Sequence, residues 1–228
     1  MLPIFSRMTT VEPTKTEKRD AVMRLIDDSS PTGGFYLMLL CATVIVSVGL
    51  MIGNATIVIG GMLVSPLLAP FLSLGLGMAM GDKRVIVRSL WIVGLTSAFV
   101  FLVTLFISVF VPFNSVNIEI LSRIKPSLAY LVIALFAGIA ATFSYIKPKL
   151  SVILPGVAIA IAVLPPLSVS ALGVKMLDSD IVFGALSLYV VNMLGIVLAS
   201  VVVFAMFGFY PLRGKAEGEV KREEMVSS

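Results

Sequence analysis

A chain of 228 residues without a single histidine must do its chemistry with other groups. The missing imidazoles remove the commonest general base, the usual nitrogen metal ligand and the ordinary pH switch. The lone Cys41 lies in an apolar run and excludes an intramolecular disulfide. The twelve Met residues are scattered, which fits adaptable packing rather than metal ligation. There is no Walker loop, and the GLGMAMG run follows no strand, so its glycines are not a nucleotide fingerprint. A non-enzymatic protein is expected, with no cofactor, no metal and no nucleic-acid partner. What remains is a small set of neutral polar groups inside long apolar runs: Asn54, Ser65, Ser168, Tyr189 and Asn192.

Each of these has two readings. Asn192 sits about twelve residues into the last apolar run, where a carboxamide must find partners in hydrocarbon surroundings. It serves either as glue between helices or as a ligand contact. Tyr189, one turn away on the same helical face, shares either role. Ser65, beside Pro66, either bonds back to the carbonyl one turn earlier or faces a site. Asn54 either caps a helix or turn, or belongs to the same site. The backbone around them is equally telling, because Gly60, Gly61, Pro66, Pro70, Pro165 and Pro166 free polar groups that a ligand can use. These eleven residues are the candidate substrate-binding set.

The elements that must position them centre on residues 53–82, GNATIVIGGMLVSPLLAPFLSLGLGMAMGD, which hold no charge before Asp82. An interior Pro costs a helix ~3 kcal/mol and a Gly about 1 kcal/mol relative to Ala. A soluble core helix would not tolerate that density, whereas a membrane helix can, if protein or a water-filled cavity satisfies the freed carbonyls. The stretch therefore predicts a membrane helix broken near its middle, with the break facing away from lipid.

Composition agrees. The chain is 58% hydrophobic and 13% charged, against about 25% charged in soluble domains, and its mean hydropathy is +1.07. Residues 35–80 carry no charge, and one crossing needs about 20 apolar residues, so this run crosses twice, with Gly53-Asn54 as the turn. Taking the chain in order predicts six spans near 35–53, 55–80, 88–111, 127–146, 151–174 and 181–209. They form a membrane domain over 34–210, flanked by an arm at 1–33 and a charged tail at 211–228. No cleaved leader is expected at the start. Within the arm, Val22, Met23, Leu25 and Ile26 lie opposite Lys18, Arg19 and Arg24, the pattern of a short interfacial helix or of a disordered arm. Asp82 is expected to cap the third span and Asp178-Ser179-Asp180 the sixth, with Asp180 singled out as the cap. Gly138 and Thr142 make a small-residue pattern suited to close helix packing.

Orientation follows from counting cations. With six crossings, fourteen Lys and Arg fall on the side of the two termini and only Arg123, Lys125 and Lys175 on the other. That bias places both termini in the cytoplasm of a cell-membrane protein. Treating both proline-bearing segments as re-entrant gives four crossings and a weaker bias.

The second and fifth spans also resemble each other. Ser65-Pro66-Leu67-Leu68 matches Pro165-Pro166-Leu167-Ser168, and Gly75, Met78 and Asp82 match Gly173, Met176 and Asp180. Three spans per half make the halves opposite in orientation, and such inverted repeats place a substrate or ion site at mid-membrane. No ionisable side chain falls mid-span, which argues against a carboxylate proton relay but leaves backbone dipoles available.

The runs GLMIGNATIVIGGMLVSPLLAP, GD and VLPPLSVSALG, with Asn192 in the last span, resemble the domain of unknown function 389 family over roughly residues 35–205. These are small hydrophobic membrane proteins of bacteria and archaea. The sequence has Ala55 where many members carry a small hydroxyl, and lacks the soluble domain of some relatives. The resemblance implies a fold and membrane residence, and no established activity.

The expectation is thus an all-α integral membrane protein of six transmembrane helices, built as two inverted three-helix repeats with broken second and fifth helices. A homo-oligomer in contact with membrane lipid is expected. Two functions compete. One is a transporter or channel-like protein for a small solute or ion. The other is a lipid-binding or scaffold component that recruits a partner through its arm and tail.

Overall fold

The computed structural model describes residues 12–111, 113, 116–147, 163–212, 214, 216 and 218–222, and the regular structure among them is helical. The chain begins with α1 (Lys15–Asp28), whose Thr14 cap and Glu17 satisfy each other's backbone N–H in a capping box. Thr32 caps α2 (Gly33–Met51). Gly53, at φ 68°, turns the chain into α3 (Ala55–Val64), which lies back along α2. A break at Ser65, Pro66 and Leu67 leads to α4 (Leu68–Met80), bent 53° from α3.

Then come α5 (Lys83–Phe110), a single turn α6 (Ile118–Leu121), α7 (Leu128–Ile146), α8 (Leu164–Met176) and α9 (Ser179–Met206). A short turn at Tyr210–Leu212 follows. Among the described residues, α2, α5, α7 and α9 are each long and apolar enough to cross a membrane, and the bent α3–α4 pair makes a fifth span if it crosses as one. The chain has the build of a multi-pass α-helical membrane protein. The first half of the expected fifth span, including Pro155, lies outside the described residues.

The interior is mostly apolar, but the outside is apolar too, and several hydroxyls are enclosed. Trp91, Phe106, Val109, Leu198 and Val202 point outward, while Ser47, Ser73, Ser89, Thr104, Ser168 and Ser200 are fully enclosed. Small and hydroxyl-bearing residues let helices approach closely where apolar burial gives no driving force. Gly138 and Gly195 show this at the α7–α9 contact. A Cβ on Gly138 would come within 2.8 Å of Ala199, and one on Gly195 within 2.7 Å of Ala134. The small-residue pattern at Gly138 and Thr142 is therefore a packing face, as its spacing predicts.

Two short helices, α4 and α8, form the centre, and α5 and α9 each pack against both. The two centre-to-flank connections share one geometry. Each 13-residue helix ends on a left-handed residue, Gly81 or Leu177, then an Asp caps a 28-residue helix. Asp82 accepts from the N–H groups of Arg84 and Val85, and Asp178 from those of Asp180 and Ile181. The cap of α9 is thus Asp178, not the expected Asp180. Three acidic or hydroxyl residues in a row can all cap, and only the backbone angle at residue 178 selects among them. Corresponding glycines mark the correspondence again. Gly77 sits against Val85 and Ile86 as Gly173 does against Ile181 and Val182, so these turns correspond at a spacing of 96 residues.

Within the arm, α1 is a docked helix. Ala21, Val22, Leu25 and Ile26 are each at most 1% exposed, packed on α4 and α7, and Met23 is half-buried. The apolar face predicted for this segment is covered by protein rather than by lipid.

Candidate functional site

The break between α3 and α4 is the place where backbone polarity is least absorbed by its own helix. Ser65 ends α3 in an extended conformation, and Pro66 follows, half-buried. The Ser65 hydroxyl accepts from the Leu67 N–H at 3.5 Å rather than bonding back to the preceding turn, one of the two readings its sequence position left open. The cause is simple. The helix stops at Val64 and Ser65 is extended, so its hydroxyl meets the N–H two residues ahead. Leu67 caps α4 with no side-chain hydrogen bond, and Pro70 in the first turn has no N–H to offer. The positive end of α4 is therefore met by no side chain of its own cap.

The second proline pair does the same for α8. Val163 precedes the helix without a side-chain cap, and Pro165 and Pro166 stand buried in its first turn. Proline suits that position, because its missing N–H would be an orphan anyway.

The other expected site residues divide. Asn54 is exposed and caps α3, accepting from the Ile57 N–H at 3.2 Å. Gly60 is exposed, with nothing near a virtual Cβ, whereas Gly61 packs so closely on α2 that a Cβ would lie 2.7 Å from Val46. Neither reaches the break. Tyr189 does. Its ring packs edge-on against Phe71 in the first turns of α4, with centroids 6.4 Å apart, and its hydroxyl lies 2.6 Å from that of Ser97. Asn192 is buried one turn further along the same face of α9. Ser168 is fully buried and accepts from Thr104 at 3.2 Å, while Thr104 and Ser47 stand 2.9 Å apart. That chain of three hydroxyls joins α5, α8 and α2.

The element that links these groups is α5, and sequence reading passed over it. Ser89, Thr96, Ser97, Thr104 and Ser108 recur at helical spacing down one side of an otherwise apolar helix. From that side Ser89 donates to Ser73 of α4 at 3.0 Å, Ser97 meets Tyr189 of α9, and Thr104 meets Ser168 of α8 and Ser47 of α2. The periodicity was the available signal. Part of it is local, since Thr96, Ser97 and Ser108 also donate to carbonyls of α5 itself.

Chemically the region is neutral. The groups named are hydroxyls, one phenol and one carboxamide, in separate contacts along α5 and α9, and none of them is charged. The set has no group to transfer protons over a carboxylate relay. Among the described residues no cluster of His, Cys, Asp and Glu could hold a metal ion.

Comparison with known proteins gives a family and a relative. Residues 62–198 match the family model described as a domain of unknown function, number 389. The chain is also 30% identical to an uncharacterised protein of Methanocaldococcus jannaschii, over 95% of this chain and 72% of that protein. No solved structure matches it. The matched region runs from the end of α3 through most of α9, taking in the break, both short central helices and the hydroxyl stripe, and the chain belongs to the domain of unknown function 389 family.

Proposed function

We propose that the protein carries a small solute or ion across the cell membrane, with its site where the starts of α4 and α8 meet the hydroxyl stripe of α5. The observation that carries this reading is the break itself. A helix of a membrane protein is interrupted midway, bent by 53°, and restarted without a side-chain cap beside a buried Tyr189. Broken helices cost stability and persist where the freed backbone groups serve a ligand or an inner cavity. The fit of the α4–α5 and α8–α9 units in length, left-handed ends and Asp caps supports two inverted three-span halves, and hence six crossings. The cation bias supports cytoplasmic termini.

Purified protein in proteoliposomes tests this with gradients of chloride, potassium and phosphate. Flux of at least one probe is expected from the parent chain, and near-complete loss in Asn192→Leu and in Pro66→Ala, each assembling normally. Undiminished flux in both variants would remove the site. No flux of any probe by the parent would remove transport of these ions.

The scaffold reading keeps one supporting feature. An open cleft of about 410 Å³ lies between α1 and the tail, lined by Asp20, Met23, Arg24, Asp27, Glu219 and Arg222. If a partner is recruited there, charge reversal at Asp20 and Asp27 abolishes recruitment and leaves the bundle unaltered.

A further inference from the structure

Among the described helices other than α3, the two proposed halves pack alike, with one exception. In the correspondence of α2 with α7 and of α4 with α8, the α4–α5 contact matches α8–α9, and α4–α9 matches α8–α5. The α2–α5 contact likewise matches α7–α9. The direct contact of α2 with α8 has no equal partner, because α7 and α4 hardly meet. Instead α1 lies on both of them.

We infer that α1 is a removable wedge, filling on its own face of the bundle the gap that direct helix packing closes on the opposite face. Its seat is built accordingly. Four apolar side chains fill the gap, and polar groups from the helix ends around it hold the rim. Arg88 of α5 donates to the Ile26 carbonyl at 3.2 Å and to the Ser29 and Ser30 hydroxyls at 3.0 Å each. A cation at the end of α1 also meets the negative end of its dipole. Arg24 donates to the Tyr145 carbonyl at 3.1 Å. Lys147, just past α7, pairs with Glu17 at 3.0 Å, and Lys18 donates to the Phe207 carbonyl.

Only the Lys147–Glu17 contact is an ion pair, and it is partly exposed and so weak, while Arg88 is held by hydrogen bonds to the buried Ser29 and Ser30. The apolar stripe covers only four residues. A short helix seated this way is a unit that opens before the bundle does. Its departure exposes the faces of α4 and α7 that it covers. The inference rests on the two-half arrangement proposed above, and its test needs no transported solute.

The test uses the full chain with Cys41→Ser and one introduced cysteine, at Met80, Ile146 or Leu50. All three positions are fully buried. Met80 and Ile146 end α4 and α7, and Leu50 lies near the far end of α2. A water-soluble maleimide should label all three slowly in the parent. With Arg88→Ala or Leu25→Glu added, labelling at Met80→Cys and Ile146→Cys should rise at least tenfold, with Leu50→Cys unchanged. Faster tryptic cleavage at Arg19 and Arg24 reports release of α1 separately. Cleavage without labelling overturns the wedge, because the gap is then closed without α1. Labelling of all three positions means general unfolding, and the unmodified chain in nanodiscs then decides by hydrogen exchange. Amides of α1 should exchange at least tenfold faster than those of α4 and α7. Equal protection overturns the inference.

Discussion

Gly75 of α4 faces Ser200 of α9 so closely that a Cβ on the glycine would lie 1.7 Å from the serine Oγ and 2.8 Å from its Cβ. The contact fixes the distance between a central helix and one of the two long ones. Rotating the serine hydroxyl away does not relieve it, since the Val197 carbonyl stands 3.1 Å from the same point. Gly75→Ala should therefore push the helices apart and cost about 1–3 kcal/mol, as overpacking does elsewhere. Ser200→Gly should restore part of that loss. Gly60→Ala, on an open face of α3, should instead be neutral or stabilise by about 0.5–1 kcal/mol. Thermal unfolding in detergent, followed by Trp91 fluorescence, ranks the three.

The buried chain Ser47–Thr104–Ser168 gives a different kind of test. Thr104→Val keeps the shape but leaves two enclosed hydroxyls short of a partner, at a cost of about 1–3 kcal/mol. Replacing all three, with Ala at 47 and 168 and Val at 104, should cost less than the single change. A triple variant weaker than the single one contradicts the hydrogen-bonding account.

Leu177 holds a left-handed backbone at φ 56°, and its side chain is 93% exposed. Its counterpart Gly81 takes the same conformation without a Cβ. Leu177→Gly removes a backbone penalty of roughly 1–2 kcal/mol and almost no packing. The expected outcome is a higher melting temperature. Gly81→Leu should lower it.

Acid acts on the seat of α1 in two opposing ways. The Thr14 backbone N–H, and after it Lys147, hold the Glu17 carboxyl below the usual carboxylate range. A depressed value means stability that is present near neutrality and lost as pH falls through the folded value. Burial raises Asp28, against a hydrogen bond from Tyr145 that lowers it. Its contribution is full at low pH and is lost as pH rises through its folded value. Glu17→Gln should thus weaken α1 docking at about pH 6, and its effect should shrink as pH falls through the lowered folded value of Glu17. Asp28→Asn should strengthen docking near neutrality. Exchange rates of α1 amides in nanodiscs, measured across that range, check both signs.

How far the sequence carries the reader depends on the kind of residue. Proline and glycine write their effects in one dimension, so the break at Pro66, the turn at Gly53 and the capping role of Asp82 were legible before any coordinates. The amphipathic pattern of residues 22–26 was legible too, but not its cover, because a covered stripe and a lipid-facing stripe have one spelling. Hydroxyls are read worst. Ser97 and Thr104 look like tolerated polar residues in a long apolar helix until Tyr189 and Ser168 arrive from helices 92 and 64 positions away. The choice of Asp178 over Asp180 belongs to the same class, since a two-residue slip changes nothing in composition and everything in register.

The length of α9 has a consequence outside the bundle. Its 28 residues rise about 42 Å. A hydrocarbon core is about 30 Å thick, so such a helix leans by roughly 40° or leaves more than a turn beyond the acyl chains. Lipids with longer tails would stand it more upright and carry α4 and α8 with it, making the thickness of the host bilayer a setting for the angle at the centre of the protein.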